Sequence, residues 1–328
     1  MNKIIAEIGS VHDGSFGNAC KLIEAAASCG ADVVKFQTHI AKAETLENAP
    51  APSYFKGEPR YEYFQRTAFD KSQYLDLISL CKELRVQFLS SPFSLEAVDF
   101  LQDVGSDMYK VASGEVSNIP LLEHLNQTNK PVILSSGMSD WFELDLAVET
   151  LRQGGPLSVM QCTSAYPCLP HQVGLNIIEE MLDRYKLLIG FSDHANGCAA
   201  AFAAVAKGAT FVEKHFTFSR LMYGSDAANG MEPHDFKIFC EGVRDIWAML
   251  ESPVDKNDTA PYVVMKKIFE KSIVANQDIA KGSIITPEHL AYKKPGDGIS
   301  AARYKEVVGQ TVNKDILNNT QLKEADFQ

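Results

Sequence analysis

Two lysines stand inside short stretches that otherwise read as apolar strands, Lys35 in VVKFQ and Lys110 in MYKVAS. A buried ammonium without a partner is strongly unfavourable, so each position demands an anion beside it. Read as ligands of a bound anion, they gain hydroxyl donors from Ser113, Ser135 and Ser192, a set that suits a phosphate better than a lone carboxylate. The alternative for Lys35 is an ion pair with Glu7 inside the fold. Two histidines, His194 and His215, close two successive apolar runs beside Asp193 and Glu213. Paired imidazoles with carboxylate and water as further donors suit a divalent metal, Mn²⁺, Co²⁺, Fe²⁺ or Zn²⁺. His12, His39, His124, His171, His234 and His289 lack such partners and are read as non-catalytic.

Something must bring these residues together, and the apolar patterning says what. Strand-like runs at 3–7, 32–37, 86–91, 107–113, 131–136, 157–164, 187–193 and 210–216 alternate with segments of helical spacing. Eight such units predict a (β/α)₈ TIM barrel of the α/β class, whose active site gathers at the carboxyl ends of the strands. Those ends carry, in order, Glu7; Lys35 and Gln37; Ser90 and Ser91; Lys110 and Ser113; Ser135 and Ser136; Thr163 and Ser164; Ser192, Asp193 and His194; and Glu213, Lys214 and His215. Strands seven and eight are neighbours in a closed barrel, so His194 and His215 can face one spot. Helices are expected at 18–29, 197–207 and 234–250, with Gly30 and Gly208 as stops. The segment 38–72 is long for a βα loop and carries Tyr54, Phe55, Tyr61, Tyr63 and Phe64, which predicts an ordered lid or a structural excursion packed on the barrel.

The domain plan is a catalytic barrel over 1–250, a polar linker over 251–270 and a small second domain over 271–328. A chain of 328 residues with 45% hydrophobic and 22% charged residues is an ordinary globular composition. A net charge of −11 argues against nucleic acid as a partner. No apolar run reaches the length of a membrane span and no signal core follows Met1, so a cytoplasmic protein without membrane contact is expected. Seven scattered cysteines without CxxC pairing read as free thiols.

The motifs AEIGSVHDG, VKFQTH, FLSSPF, YKVASGE, ILSSGM, QCTSAYP, GFSDHANG and EKHFT, in this order from residue 6 to residue 217, together resemble the sialic acid synthase family. The tail from Lys271 to Ser300 is similar to that family's antifreeze-like (SAF) domain. The resemblance implies a transferase that joins phosphoenolpyruvate to the aldehyde of an N-acyl amino sugar, giving a nine-carbon 2-keto acid and phosphate. It implies that Lys35, Ser91, Lys110, Ser113, Ser135, Ser164 and Ser192 hold phosphoenolpyruvate. It further implies that His194 and His215 hold the metal, commonly manganese, and that Glu7, Gln37, Tyr166, Glu213 and Asp226 line the sugar and water side. Within the implied reaction either Glu7 or Glu213 is expected to position the attacking water or to carry its proton. A domain-swapped homodimer, with residues 271–328 of one chain over the barrel mouth of the other, is the assembly implied.

This chain departs from the family pattern at Ser91 (threonine in some members), Ser164 (asparagine), Lys294 (arginine) and Ala227, where a histidine often follows the aspartate in Gly224-Ser225-Asp226. The last two changes face the sugar, so pseudaminate, legionaminate or another modified nonulosonate stands beside N-acetylneuraminate as the product. A non-enzymatic carbohydrate- or ice-binding protein is the alternative of a different class, and it leaves Lys35, Lys110, His194 and His215 without a task.

Overall fold

The computed structural model describes residues 2–50, 57–224 and 226–328, and the chain divides into two compact units, Met1–Ser252 and Pro253–Gln328. Among the described residues of the first unit, eight parallel strands close into a barrel in sequence order. They are β1 (Lys3–Gly9), β2 (Val33–Thr38), β3 (Gln87–Pro92), β4 (Tyr109–Val111), β5 (Val132–Ser135), β6 (Leu157–Cys162), β7 (Leu188–Asp193) and β8 (Phe211–His215). β1 pairs with both β2 and β8, so the sheet has no edge. All eight expected strands are present, although β4 keeps only three residues of the 107–113 run.

Helices return the chain between strands, and their starts are written in the sequence. Side chains of Ser15, Asp70, Ser94, Asn118 and Asp140 each accept a backbone N–H from the first turn of the helix that follows. Such caps contribute about 1 kcal/mol apiece. The expected helices appear as Phe16–Ser28, Ala199–Ala206 and Pro233–Glu251. Gly30 and Gly208 follow the first two with φ of +102° and +105°, a left-handed backbone that suits glycine.

Strand side chains alternate between two faces, and the barrel interior follows that period of two. The lowest interior tier is an apolar plug of Ile5, Val33, Leu89, Met108, Ile133, Met160 and Phe211. β7 contributes Gly190 there, since a Cβ at that position would come within 2.8 Å of the Phe211 Cβ. Two residues further along each strand the same face carries Glu7, Lys35, Ser91, Lys110, Ser135, Cys162, Ser192 and Glu213.

The excursion between β2 and β3 contains the short helices Ala41–Glu44 and Arg60–Thr67, with Tyr63 and Phe64 buried. Tyr54 and Phe55, expected in this lid, lie outside the described residues, as does Ser225. The second unit pairs β9 (Ser272–Ala275) with β10 (Leu290–Lys293) in antiparallel fashion over its own core of Ile273, Ile279, Ile285, Leu290, Val312, Ile316 and Leu322. The stretch 251–270, expected to be a linker, holds the helix Val263–Phe269. The polar residues before it drew the linker reading, while VVMKKIF supports a helical turn braced by the Lys266–Glu270 pair at 3.1 Å. No helix among the described residues is long and apolar enough to cross a membrane.

Leu89 is fully buried in the plug. Leu89→Ala should destabilise the protein by about 2–5 kcal/mol through lost transfer energy and a residual cavity, read as a lower urea midpoint.

Candidate active site

Above the plug the barrel holds four charges. Lys35 Nζ lies 3.0 Å from Glu7 Oε2 and 3.4 Å from Glu213 Oε1. Lys110 Nζ lies 3.1 and 3.3 Å from the two Glu213 oxygens. Ser192 donates its hydroxyl to Glu213 Oε1 at 3.2 Å. The anion demanded beside each lysine is thus supplied by carboxylates of the chain: the Lys35–Glu7 pair, offered as an alternative from the sequence, is present, and Glu213 serves both lysines. Burial opposes ionisation of Glu213, but Lys110 and Lys35 outweigh it and hold its pKa at about 2. Burial lowers the pKa of Lys110 despite Glu213. At Lys35 burial is outweighed by Glu213 and Glu7, and the pKa rises.

A cavity of about 380 Å³ opens directly over these groups. Its walls include Glu7, Lys35, Gln37, Lys110, Ser113, Ser135, Ser164, Tyr166, Ser192, His194, Glu213, His215 and Asp226, so the structure brings together nearly every residue singled out from the sequence. Ser91 is buried in the tier below the mouth and does not line the cavity. Lys294 belongs to the second unit, where its ammonium lies 4.9 Å from the centre of the Phe269 ring. The hydroxyls of Ser91 and Ser135 are buried without a hydrogen-bond partner among the described residues. The Gly137 N–H donates to Ser113 Oγ at 3.0 Å, and a Cβ at Gly137 would press to 2.4 Å of Ser164 Oγ and 2.6 Å of Ser113 Oγ. A cradle of hydroxyls with a bare backbone wall fits an oxyanion with several acceptor oxygens.

The two histidines meet as expected, with ring centres 5.5 Å apart. His194 Nδ1 donates to the Thr163 carbonyl at 2.8 Å, which leaves the lone pair on Nε2, 3.2 Å from Tyr166 Oη. His215 Nδ1 is buried with no hydrogen-bond partner among the described residues. Burial lowers the pKa of both, keeping the imidazoles neutral. Neutral, oriented imidazoles fit a divalent metal. Among the described residues, however, no group of three His, Cys, Asp or Glu side chains stands close enough to hold one alone. Asp193, expected beside the pair, points to the opposite face and binds Lys214 at 2.8 Å. A metal held by the two imidazoles would need water or substrate oxygens to complete its coordination.

The alternation sorts the strand-end list. Ser90 bonds Thr38, Ser136 donates to the Met160 carbonyl and Thr163 to the Gln172 carbonyl, so these three serve the wall rather than the cavity. Elsewhere in the cavity Gln37 Nε2 donates to Glu7 Oε1 at 2.8 Å, and Asp226 Oδ2 accepts from the Ser10 N–H and hydroxyl at 3.0 and 3.1 Å.

Sequence reasoning missed Ser10, His39, Arg60, Phe64, Phe93, Met138, Cys162 and Asn229, all of which line the cavity. His39, read as non-catalytic, belongs to the wall; His12 is buried against Phe69, outside it. Cys162 and His39 continue the inward alternation through Met160 and Gln37, which is the signal that could have found them. Arg60 sits on a helix of the excursion, and no spacing rule points to it.

Residues 22–255 match the NeuB family and residues 270–328 match the SAF domain. The chain is 36% identical to the N,N'-diacetyllegionaminic acid synthase of Campylobacter jejuni, over 98% of each chain. It is 29% identical to the pseudaminic acid synthase of Helicobacter pylori, over 99% of this chain and 98% of that one. Among solved structures it is similar to an N-acetylneuraminic acid synthetase from Leptospira borgpetersenii crystallised with citrate, with a TM-score of 0.72, 27% identity and coverage of 81% and 91%.

Glu213 is the common partner of both lysines. Its pKa is depressed from 4.5 to about 2, so its stabilisation is full above pH 4.5 and is lost as the pH falls through the lower value. Glu213→Gln should destabilise the protein at pH 7 by about 3–5 kcal/mol, because a buried charge is left unpaired, read as a lower urea midpoint. It should also flatten the loss of stability across that acid window, as a midpoint series against pH reads directly.

Proposed function

The chain belongs to the NeuB family and is a phosphoenolpyruvate–sugar condensing synthase, and on that premise we propose the roles its residues play and the sugar it takes. The observation that carries the assignment of roles is one cavity in which buried cations and a hydroxyl cradle lie beneath two neutral histidines. In our reading Lys35, Lys110, Ser113, Ser135, Ser164 and Ser192 hold the phosphate and carboxylate of phosphoenolpyruvate, with Ser91 beneath them. The incoming anion restores to Lys110 the charge stabilisation that burial removes.

His194 and His215 would hold a divalent metal, Mn²⁺ in this reading, which supplies Lewis-acid polarisation of the sugar aldehyde. The chain's own residues arrange the rest. The lysines and serines fix the enol so that its terminal carbon faces the aldehyde carbon, and the new C–C bond forms between them. Water adds at the former enol C2, and phosphate leaves by C–O cleavage. Glu213, locked between two ammoniums, is a poor proton carrier. Glu7 is the better candidate to orient that water, because Gln37 holds its carboxylate at the cavity wall. Gln37, Tyr166 and Asp226 line the sugar side.

For the sugar we favour a 2,4-diacetamido-2,4,6-trideoxy hexose over N-acetylmannosamine, on the similarity to a legionaminate-forming relative and on the change from a guanidinium fork to the flexible ammonium of Lys294. Lys294 is assigned to the sugar of the partner copy in a cytoplasmic homodimer.

Phosphate release from phosphoenolpyruvate should require an amino-sugar aldehyde, stop on chelation and return with Mn²⁺. Full activity of metal-stripped His215→Ala overturns the metal assignment, and a hundredfold preference for N-acetylmannosamine overturns the sugar. In solution scattering the protein should be a dimer, and truncation near residue 265 should abolish turnover. A fully active truncated monomer overturns the assembly.

A further inference from the structure

Four flat groups are stacked on one wall of the cavity. Phe93 and His39 lie 4.3 Å apart with planes 13° from parallel, and His39 and Phe64 lie 3.7 Å apart at 12°. The Arg60 guanidinium carbon caps the column, 5.1 Å from the centre of the Phe64 ring. The middle of the column is pinned by hydrogen bonds at both ends of the imidazole, 2.7 Å to Glu44 and 3.0 Å to Gln37 Oε1. A platform fixed in this way orients whatever rests on it.

Arg60 has no hydrogen bond and no ion pair among the described residues, although it lines the cavity. One turn and a half later on the same helix, Arg66 is bound by Glu58 at 2.6 Å and Asp13 at 2.7 Å. Glu115 and Glu44 lie within electrostatic reach of this corner, but neither pairs with Arg60. The donors of one guanidinium are thus committed to the fold and those of the other are available to a ligand. Arg60 lies over the apolar Phe64 ring, and Phe93 and Met138 are further apolar residues of the same cavity lining.

We propose that Arg60 is a specificity-determining residue that receives a planar N-acyl group of the sugar. Its fork donates to the amide carbonyl while the acyl methyl packs against the exposed apolar lining of the cavity, Met138 among it. This rests on the synthase reading above and adds the subsite to it. A guanidinium beside apolar surface matches an amide that carries both a carbonyl and a methyl group. A free amine at the same carbon would be charged and repelled by Arg60, and a hydroxyl would leave the apolar wall without a partner.

The test compares Arg60→Lys and Arg60→Ala with the unmodified protein on three sugars: a diacetamido hexose, its mono-deacylated amine and the corresponding hydroxy sugar. Both kinetics and calorimetric binding are measured. Loss of a charge-assisted contact should weaken the acylated sugar roughly tenfold to a hundredfold in either variant, while KM for phosphoenolpyruvate stays unchanged. Binding of the hydroxy sugar should stay the same, and Arg60→Ala should bind the amine better. Equal effects on all three sugars, no effect, or a changed phosphoenolpyruvate KM overturns the proposal. Absence of phosphate release by the unmodified protein with every sugar refutes the synthase reading instead, and the calorimetric comparison still decides the amide subsite. Failure of the unmodified protein to bind any acylated sugar overturns both.

Discussion

Glu213 accepts both lysines of the barrel floor, and the rest of the site is arranged around that contact. Two ammoniums and two carboxylates cancel in charge, yet each ion loses its hydration on entering the barrel, a penalty of several kcal/mol that pairing only partly offsets. Branched apolar residues usually fill this tier of a (β/α)₈ barrel, so stability gives no reason for four charges here. Their value is chemical. A neutral, preorganised quartet would let the phosphoenolpyruvate anion proposed above take over carboxylate contacts without moving a strand, above a plug of buried apolar side chains.

The tiers follow from the strand period alone. Ile5, Val33, Leu89, Ile133, Met160 and Phe211 form the plug, and adding two to each number gives Glu7, Lys35, Ser91, Ser135, Cys162 and Glu213. Adding two again reaches Gln37, Phe93, Ser164 and His215 at the cavity. Strand positions and the residues at their ends were therefore legible in the sequence. Their facing was legible too, but only once parity was applied. Without it Asp193 and Lys214 read as part of the site, whereas they pair with each other on the outer face, where Lys214 also reaches the Ala195 carbonyl.

What the sequence did not disclose depends on tertiary contact. Lys35 and Lys110 each carry an ambiguity that only distance resolves, because a strand lysine looks the same whether its partner is a ligand or a glutamate 103 positions away. The aromatic column joins residues just past the ends of β2 and β3 with the excursion, and no local pattern predicts that Phe64 will cover His39. The helix Val263–Phe269 was hidden by the polar residues that precede it.

These differences in legibility follow a physical division. The floor is built from strands whose neighbours on both sides fix backbone and side chain, so its chemistry is constrained to a few residue types at set positions. The rim is built from the excursion and loops, where a cation such as Arg60 can be placed or lost without disturbing the barrel hydrogen bonds. A fold organised in this way can keep one bond-forming step while changing the sugar it accepts, because rim residues such as Arg60, proposed to face the sugar's substituents, can vary while the strand residues proposed to hold the enol stay fixed.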